Sequence, residues 1–401
     1  MSGVAELNRT DRVVVVGAGM AGAQAALGLR QGGWQGRISL VGDEPHRPYD
    51  RPPLSKDVLL GKADATTFDI DWEHLGIELL TDRRAVGLDP GVLRTDAGDV
   101  PYDGLVIATG AEARDLPGAT GTHILRTVDD ALALRALLTP GRRIVLVGAG
   151  WIGAETATVA RQLGCEVTVV EAGPAPLPGA LPAELGALMA DWYAAAGAEL
   201  RCGVGVASVE PGAVLLTDGT RLAADEVVVG IGARPATGWL AGSGVELDAG
   251  GAILVDERLR TSVDGVWAAG DCVAYPSARS ATRLGVQHWD HALQSGGAVA
   301  ASLLGSDAPY DPVPYFWSEQ FGRMVQYAGR HADADELLWR GSAADPAWAV
   351  LWLRGGALVG MLAVDRPRDL NQARRLIDRG AVLDRALAAD PGVQLKAATA
   401  G

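Results

Sequence analysis

Two stretches of the chain place glycines where a backbone could close around an anion. Gly17-Ala18-Gly19-Met20-Ala21-Gly22 follows Val13-Val14-Val15-Val16 and opens an alanine-rich segment that reads as a helix to about Gln31. Gly148-Ala149-Gly150-Trp151-Ile152-Gly153 follows Ile144-Val145-Leu146-Val147 and opens a second such segment, to about Leu163. A Gly-x-Gly-x-x-Gly turn between strand and helix lets backbone amides and the positive helix N-terminus approach a pyrophosphate. One copy also suits a tight turn in any α/β protein. Two copies in the same strand context predict two dinucleotide sites.

Each site needs an acidic residue after its second strand to accept hydrogen bonds from an adenosine ribose. Glu171 closes Val167-Thr168-Val169-Val170, and Ala172-Gly173-Pro174 beyond it offers no arginine for a 2′-phosphate, which favours NADH over NADPH. In the first unit Asp43 and Glu44 follow Val41-Gly42, and either fills that role. A solvated loop acid is the alternative at both places. Lysine is scarce: Lys56, Lys62 and Lys396 are the only ones in the chain, so Lys56, which follows a proline-rich loop, stands out. A compact ammonium there could favour negative charge developing on a neighbouring group; an ordinary surface lysine is the plain alternative.

The elements that position these residues read as α/β. The two βαβ units, Arg12 to Asp43 and Arg143 to Glu171, suggest two Rossmann-like domains of one architecture. Leu105-Val106-Ile107-Ala108-Thr109-Gly110 and Val227-Val228-Val229-Gly230-Ile231-Gly232 resemble each other as buried strands ending in glycine turns. Gly265 to Asp271 reads as a strand ending in Gly270-Asp271, with a helix from about Val286 to Leu304 after it. Beyond Pro312 the texture changes. Val350 to Leu353 and Leu358 to Met361 flank Gly355-Gly356 as a hairpin, and Asn371 to Ile377 reads as a short helix, together a C-terminal α+β domain.

Composition narrows the function classes. The chain has 401 residues, 48% hydrophobic and 21% charged, which fits a folded protein of two or three domains. A formal charge of −14 opposes nucleic acid and anionic membrane as partners. Cys165, Cys202 and Cys272 are too far apart for a redox dithiol or zinc knuckle, and cannot supply the four thiolates of an iron–sulfur cluster. Met1 to Arg12 is polar, and no apolar run reaches the roughly 18 residues of a membrane span, so a cytoplasmic protein with reduced thiols is expected.

The stretch Pro48-Tyr49-Asp50-Arg51-Pro52-Pro53-Leu54-Ser55-Lys56, just after the first βαβ unit, resembles the signature of the FAD-dependent ferredoxin reductases of bacterial oxygenase systems. Ala108-Thr109-Gly110, Gly270-Asp271 and Tyr315-Phe316-Trp317-Ser318 extend the likeness over nearly the whole chain. The resemblance implies a glutathione-reductase-like fold: FAD-binding residues 1–113 and 242–314, NADH-binding residues 114–241, and a C-terminal interface domain, 315–401. It implies FAD pyrophosphate at Gly17, Gly19, Met20, Ala21 and Gly22, and its ribose near Asp43 and Glu44. Ala108, Thr109, Gly110, Arg51, Arg126, Gly270, Asp271 and Trp289 join them as FAD contacts. NADH falls to Gly148, Gly150, Trp151, Ile152, Gly153, Glu171 and Gly232. Lys56 is implied close to the flavin ring, with Glu155 as its partner; an exposed helix glutamate is the alternative at Glu155. His288 and His291 are better read as a packed or solvated helix face than as metal ligands.

The implied activity is NADH:ferredoxin oxidoreduction: hydride enters from NADH, and electrons leave singly to a separate iron–sulfur ferredoxin, [2Fe–2S] or [3Fe–4S], that serves an oxygenase. A monomer or weak homodimer is expected. Arg366, Arg368, Arg374, Arg375 and Arg379 could guide an acidic ferredoxin, or be ordinary charged helix faces. The rival classes are an NADH:quinone or oxygen reductase and a redox-sensing flavoprotein resembling apoptosis-inducing factor. Thiol-dependent reductases are disfavoured, because no cysteine lies near the first glycine motif.

Overall fold

The computed structural model describes residues 7–400; residues 1–6, part of the polar start, and residue 401 lie outside the described residues. The chain gathers into two compact units. One holds the residues up to Asp50, Thr67–Glu112 and Arg234–Phe316; the other holds Arg51–Thr66, Ala113–Ala233 and the residues from Trp317 onward. The segment carrying Lys56 thus belongs with the second glycine motif and not with the first βαβ unit that precedes it in sequence.

In the first unit a five-stranded sheet runs in the order Val266–Ala268, Gly104–Ile107, Val13–Val16, Ile38–Val41, Ile77–Leu80, every pair parallel. Val13 to Val16 are all buried, as a central strand covered on both faces requires. Helix Met20–Gln31 follows, burying Ala21, Ala23, Ala25, Ala26 and Leu29. It crosses helix Trp289–Leu303 at a spacing only small residues allow: a methyl at Gly28 would lie 2.8 Å from the Ala300 Cβ, and one at Gly296 would lie 2.4 Å from the Ala21 carbonyl oxygen. This later helix begins at Trp289, with His288 as its cap, not near Val286 as its sequence suggests, because the residues before it stay extended.

The second unit repeats the plan. Its sheet runs Thr122–His123, Glu226–Val229, Arg143–Val147, Glu166–Glu171, Glu199–Cys202, again all parallel. The likeness goes further than the glycine motifs. In each unit an antiparallel three-stranded meander, Ala85 to Pro101 or Val206 to Ala223, lies between the outer strand and the returning one.

The C-terminal part forms a five-stranded antiparallel sheet in the order Tyr315–Gln320, Arg323–Gly329, Ala357–Val364, Trp348–Arg354, Glu336–Arg340. The expected hairpin turns at Gly355-Gly356, both with positive φ as a two-residue turn demands. The expected helix is longer than its apolar residues suggest, Pro367–Asp378, and presses Leu370, Ala373, Leu376 and Ile377 onto the sheet. Its proline occupies the first turn, where no amide is needed.

Candidate functional site

The two glycine turns have the same construction, and in each the first and third glycines answer different steric demands. Gly17 has φ +109°, and a Cβ there would lie 2.1 Å from the Ala108 carbonyl oxygen, so the turn is packed against the end of the returning strand. Gly148 has φ +102°, and its Cβ would lie 2.4 Å from the Gly230 carbonyl oxygen. The third glycines, Gly22 and Gly153, would drive a Cβ to 1.9 Å and 2.1 Å from the Gly17 and Gly148 carbonyl oxygens, so helix and turn are in backbone contact. The middle glycines differ. A Cβ on Gly19 meets nothing within 4 Å, and one on Gly150 meets only the Gly230 oxygen at 3.9 Å. The space that two glycines close, the middle one leaves open, and neither following helix has a side-chain cap on its first amides. An anion held by backbone amides fits there.

In the first unit the structure brings Ala108-Thr109-Gly110 and Gly270-Asp271 to the first turn. Thr109 donates its hydroxyl to the Ala236 carbonyl at 2.8 Å, and the Ala236 amide donates to the Gly110 carbonyl at 2.9 Å. A Cβ on Gly270 would lie 2.9 Å from the Ala21 Cβ, which sets Asp271 beside the glycine helix. His291 braces this corner together with two side chains the sequence does not single out, Ser295 and Tyr310: the Gly270 amide donates to Ser295 Oγ at 2.9 Å, His291 Nε2 lies 3.2 Å from the Gly270 carbonyl oxygen, and the Tyr310 hydroxyl lies 2.8 Å from His291 Nδ1. His291 is packed, not solvated, with its ring stacked on Tyr275. Asp43 is exposed, whereas Glu44 is half-buried and accepts the Tyr49 hydroxyl at 2.6 Å. Trp289 donates its indole N–H to Asp50 at 2.6 Å.

In the second unit Glu171 is not a solvated loop acid. It is 7% exposed, and its two oxygens accept the Ala149 amide at 2.8 Å and the Gly173 amide at 2.7 Å, so the carboxylate is pinned against the second glycine turn. Ile152 stands exposed on the first helical turn, Trp151 is half-buried, and Gly232, at φ +98°, leaves open space where a Cβ would be.

Lys56 and Glu155 meet. Lys56 Nζ lies 2.7 Å from Glu155 Oε2, with the carboxylate 5% exposed and the ammonium side chain 19% exposed. The exposed-glutamate alternative is therefore set aside. Lys56 also donates to the Pro52 carbonyl at 3.2 Å. Ser55 Oγ donates to Glu155 Oε2 at 2.5 Å, Ser318 Oγ to Oε1 at 2.7 Å, and the Glu319 amide to Oε1 at 3.3 Å. Both serines sit inside stretches that stand out in the sequence, yet nothing in the sequence ties either one to residue 155. Arg51 donates to the Arg126 carbonyl at 2.8 Å, which brings those two predicted residues together through the backbone.

The cysteines are poor nucleophiles where they stand. Cys272, next to Asp271, is fully buried, and burial pushes its thiol up to about 11; burial raises Cys165 and Cys202 as well. The arginine cluster is broken up by the fold. Arg366 donates to Asp369, which is buried and also held by the fully buried Arg340. Arg368, Arg375 and Arg379 remain exposed.

Residues 11–296 match the pyridine nucleotide-disulphide oxidoreductase family, and residues 315–399 match the reductase C-terminal family. The chain belongs to this class of flavoprotein reductases, of the glutathione-reductase-like α/β type. It is 36% identical to rhodocoxin reductase of Rhodococcus erythropolis, over 97% of this chain and 94% of that protein. It is 38% identical to the ferredoxin reductase component of chlorobenzene dioxygenase from a Cupriavidus species, over 94% and 95%. The solved covalent complex of putidaredoxin reductase with putidaredoxin superposes with a TM-score of 0.92 at 32% identity, covering 97% of this chain and 98% of that one.

Proposed function

We propose that this chain is an FAD-dependent oxidoreductase that takes hydride from NADH and delivers electrons singly to an iron–sulfur ferredoxin, [2Fe–2S] or [3Fe–4S], serving an oxygenase. The observation that carries the reading is the presence, in one chain, of two glycine turns of the same geometry, each with an open middle glycine above an uncapped helix. One such turn suits FAD and the other NADH. Relatives that are components of oxygenase systems, and a solved neighbour captured with its electron-transfer protein, support the acceptor.

The residues divide the work. Gly17, Gly19, Met20, Ala21 and Gly22 offer amides to the FAD pyrophosphate, with Asp43 or Glu44 toward the ribose and Asp271 toward the ribityl chain. Gly148, Gly150, Trp151, Ile152, Gly153 and Gly232 shape the NADH site, where the Glu171 carboxylate would meet a 2′-phosphate with like charge and so favours NADH. Lys56 presents a fixed positive charge that Glu155 holds in place. FAD, when bound, accepts the hydride as a pair of electrons and can release them one at a time. The three raised, unpaired thiols offer no alternative acceptor within the chain.

The test is anaerobic mixing of the FAD-loaded protein with NADH or NADPH, followed by a panel of ferredoxins, watching flavin and cluster absorbance. NADH should bleach the flavin far faster than NADPH, and at least one ferredoxin should reoxidise it at turnover rates. A flavin that reduces slowly and stays reduced with every ferredoxin would overturn the assignment in favour of a sensing role. Glu171→Ala should lower kcat/KM for NADH about tenfold or more and narrow the preference over NADPH.

A further inference from the structure

Glu155 is 4% exposed, and its two oxygens are served from different directions. Oε2 receives Lys56 and Ser55, which are neighbours in sequence, while Oε1 receives Ser318 and the Glu319 amide from the far end of the chain. Ser318 has no freedom in this role. It is 0% exposed, and its oxygen accepts the side-chain amide of Gln320 at 3.2 Å, which leaves its single proton for the carboxylate.

The strand that carries Ser318 ends in a two-residue turn, Phe321-Gly322, with φ +50° and +76°. Such a turn favours glycine, asparagine or aspartate at its first position, and the other one in the same sheet, Gly355-Gly356, uses glycine twice. A phenylalanine with positive φ is strained, and strain of this kind persists only where the surroundings hold it. What holds it is the helix that carries Glu155, together with the short helix Ala190–Ala195. The Phe321 amide donates to Thr158 Oγ1 at 2.9 Å, three residues on from Glu155 along the same helix. The Phe321 ring lies 4.5 Å from that of Tyr193, and the Arg323 guanidinium sits 5.1 Å over the Trp192 ring. Asparagine would suit the turn but could make no aromatic contact.

We propose that Ser318 is a positioning residue for the Lys56–Glu155 pair, presented to the carboxylate by a hairpin whose strained Phe321 anchors it to the Glu155 helix. By fixing Oε1, Ser318 fixes where Oε2 holds the Lys56 ammonium, and so the charge the flavin experiences. The inference rests on the proposed function and on the placement of Lys56 near the flavin that the resemblance implies.

The test uses the FAD-loaded full chain with Ser318→Ala and Ser318→Thr, each alone and combined with Glu155→Gln. Two quantities are read: the midpoint potential of the bound flavin by dye-coupled titration, and the rate constant for anaerobic bleaching by NADH. Ser318→Ala should slow bleaching about tenfold, as loss of a hydrogen bond to a charged group implies, and should shift the potential; Ser318→Thr should restore both. In the Glu155→Gln background Ser318→Ala should add nothing, because serine acts through the carboxylate. A shift of equal size in that background, or wild-type values in Ser318→Ala, would overturn the inference. Should Ser318→Ala not fold, Thr158→Val serves instead: it removes the hydroxyl that anchors the Phe321 amide to the Glu155 helix, and must move the same two quantities or the inference falls. A wild-type chain that NADH cannot bleach overturns the proposed function and this inference with it, whereas normal wild-type bleaching with an indifferent Ser318→Ala overturns only the latter.

Discussion

His291 sets an acid limit on the first unit. Its ring is 3% exposed, and in the neutral form it satisfies both neighbours: Nε2–H donates to the Gly270 carbonyl, and Nδ1 accepts the Tyr310 hydroxyl. Burial pushes its pKa from 6.5 down to about 4, with the charge of Asp271 only partly opposing. The unfolded chain therefore binds a proton that the folded one refuses. This stabilising difference is intact above the unfolded pKa and is lost as pH falls toward the folded value. At about 1.4 kcal/mol per pH unit, the first unit should be roughly 2 kcal/mol less stable at pH 5 than at pH 7 on account of this ring. Heating the FAD-loaded protein and following flavin release by fluorescence would show a lower transition at pH 5. His291→Gln, which keeps a donor and an acceptor but does not titrate, should flatten that dependence; an unchanged slope would assign it to other groups.

Among the elements, the two glycine turns allow fold and binding to be separated within a few residues. Gly148→Ala combines a strained φ of +102° with a Cβ 2.4 Å from the Gly230 oxygen, so the second unit should fail to fold. Gly150→Ala meets nothing closer than 3.9 Å, so the protein should fold and retain FAD while the KM for NADH rises about tenfold or more. Far-ultraviolet circular dichroism, FAD content and NADH kinetics distinguish the two, and a Gly150→Ala protein with normal KM would remove the turn from the NADH site. These turns were legible in the sequence because two steric demands and one open approach are compressed into six adjacent positions. The repeated meanders were not, since Ala85–Asp89 and Val206–Glu210 are exposed or half-buried at every position but Leu88 and carry no apolar run. The Lys56–Glu155 pair was reached through resemblance, but its serine donors were out of reach: Ser318 and Glu155 are joined by a hairpin docking on a helix, and no local pattern encodes that. Arg366 misled in the opposite sense, for a charge near others in sequence turned out to be spent on the buried Asp369.

At the scale of the whole molecule, the chain carries −14, so an acidic ferredoxin meets net repulsion and needs a local positive face to dock. With Arg366 committed to Asp369, the exposed remainder on and beside helix Pro367–Asp378 is Arg368, Arg375 and Arg379. Their spacing, seven residues and then four, places them along one side of the helix, opposite the Leu370, Ala373 and Ile377 that bury. Exposed charges act here mainly on encounter, and salt screens them beyond about 10 Å at 0.1 M. If this face guides the partner, Arg375→Glu with Arg379→Glu should raise the KM for ferredoxin about tenfold at low salt and leave flavin bleaching by NADH untouched. Raising the ionic strength should weaken ferredoxin reduction in the wild type and shrink the difference between the two proteins. The opposite salt response, with reduction improving as repulsion is screened, would mean that the net charge governs the encounter and that docking uses another surface.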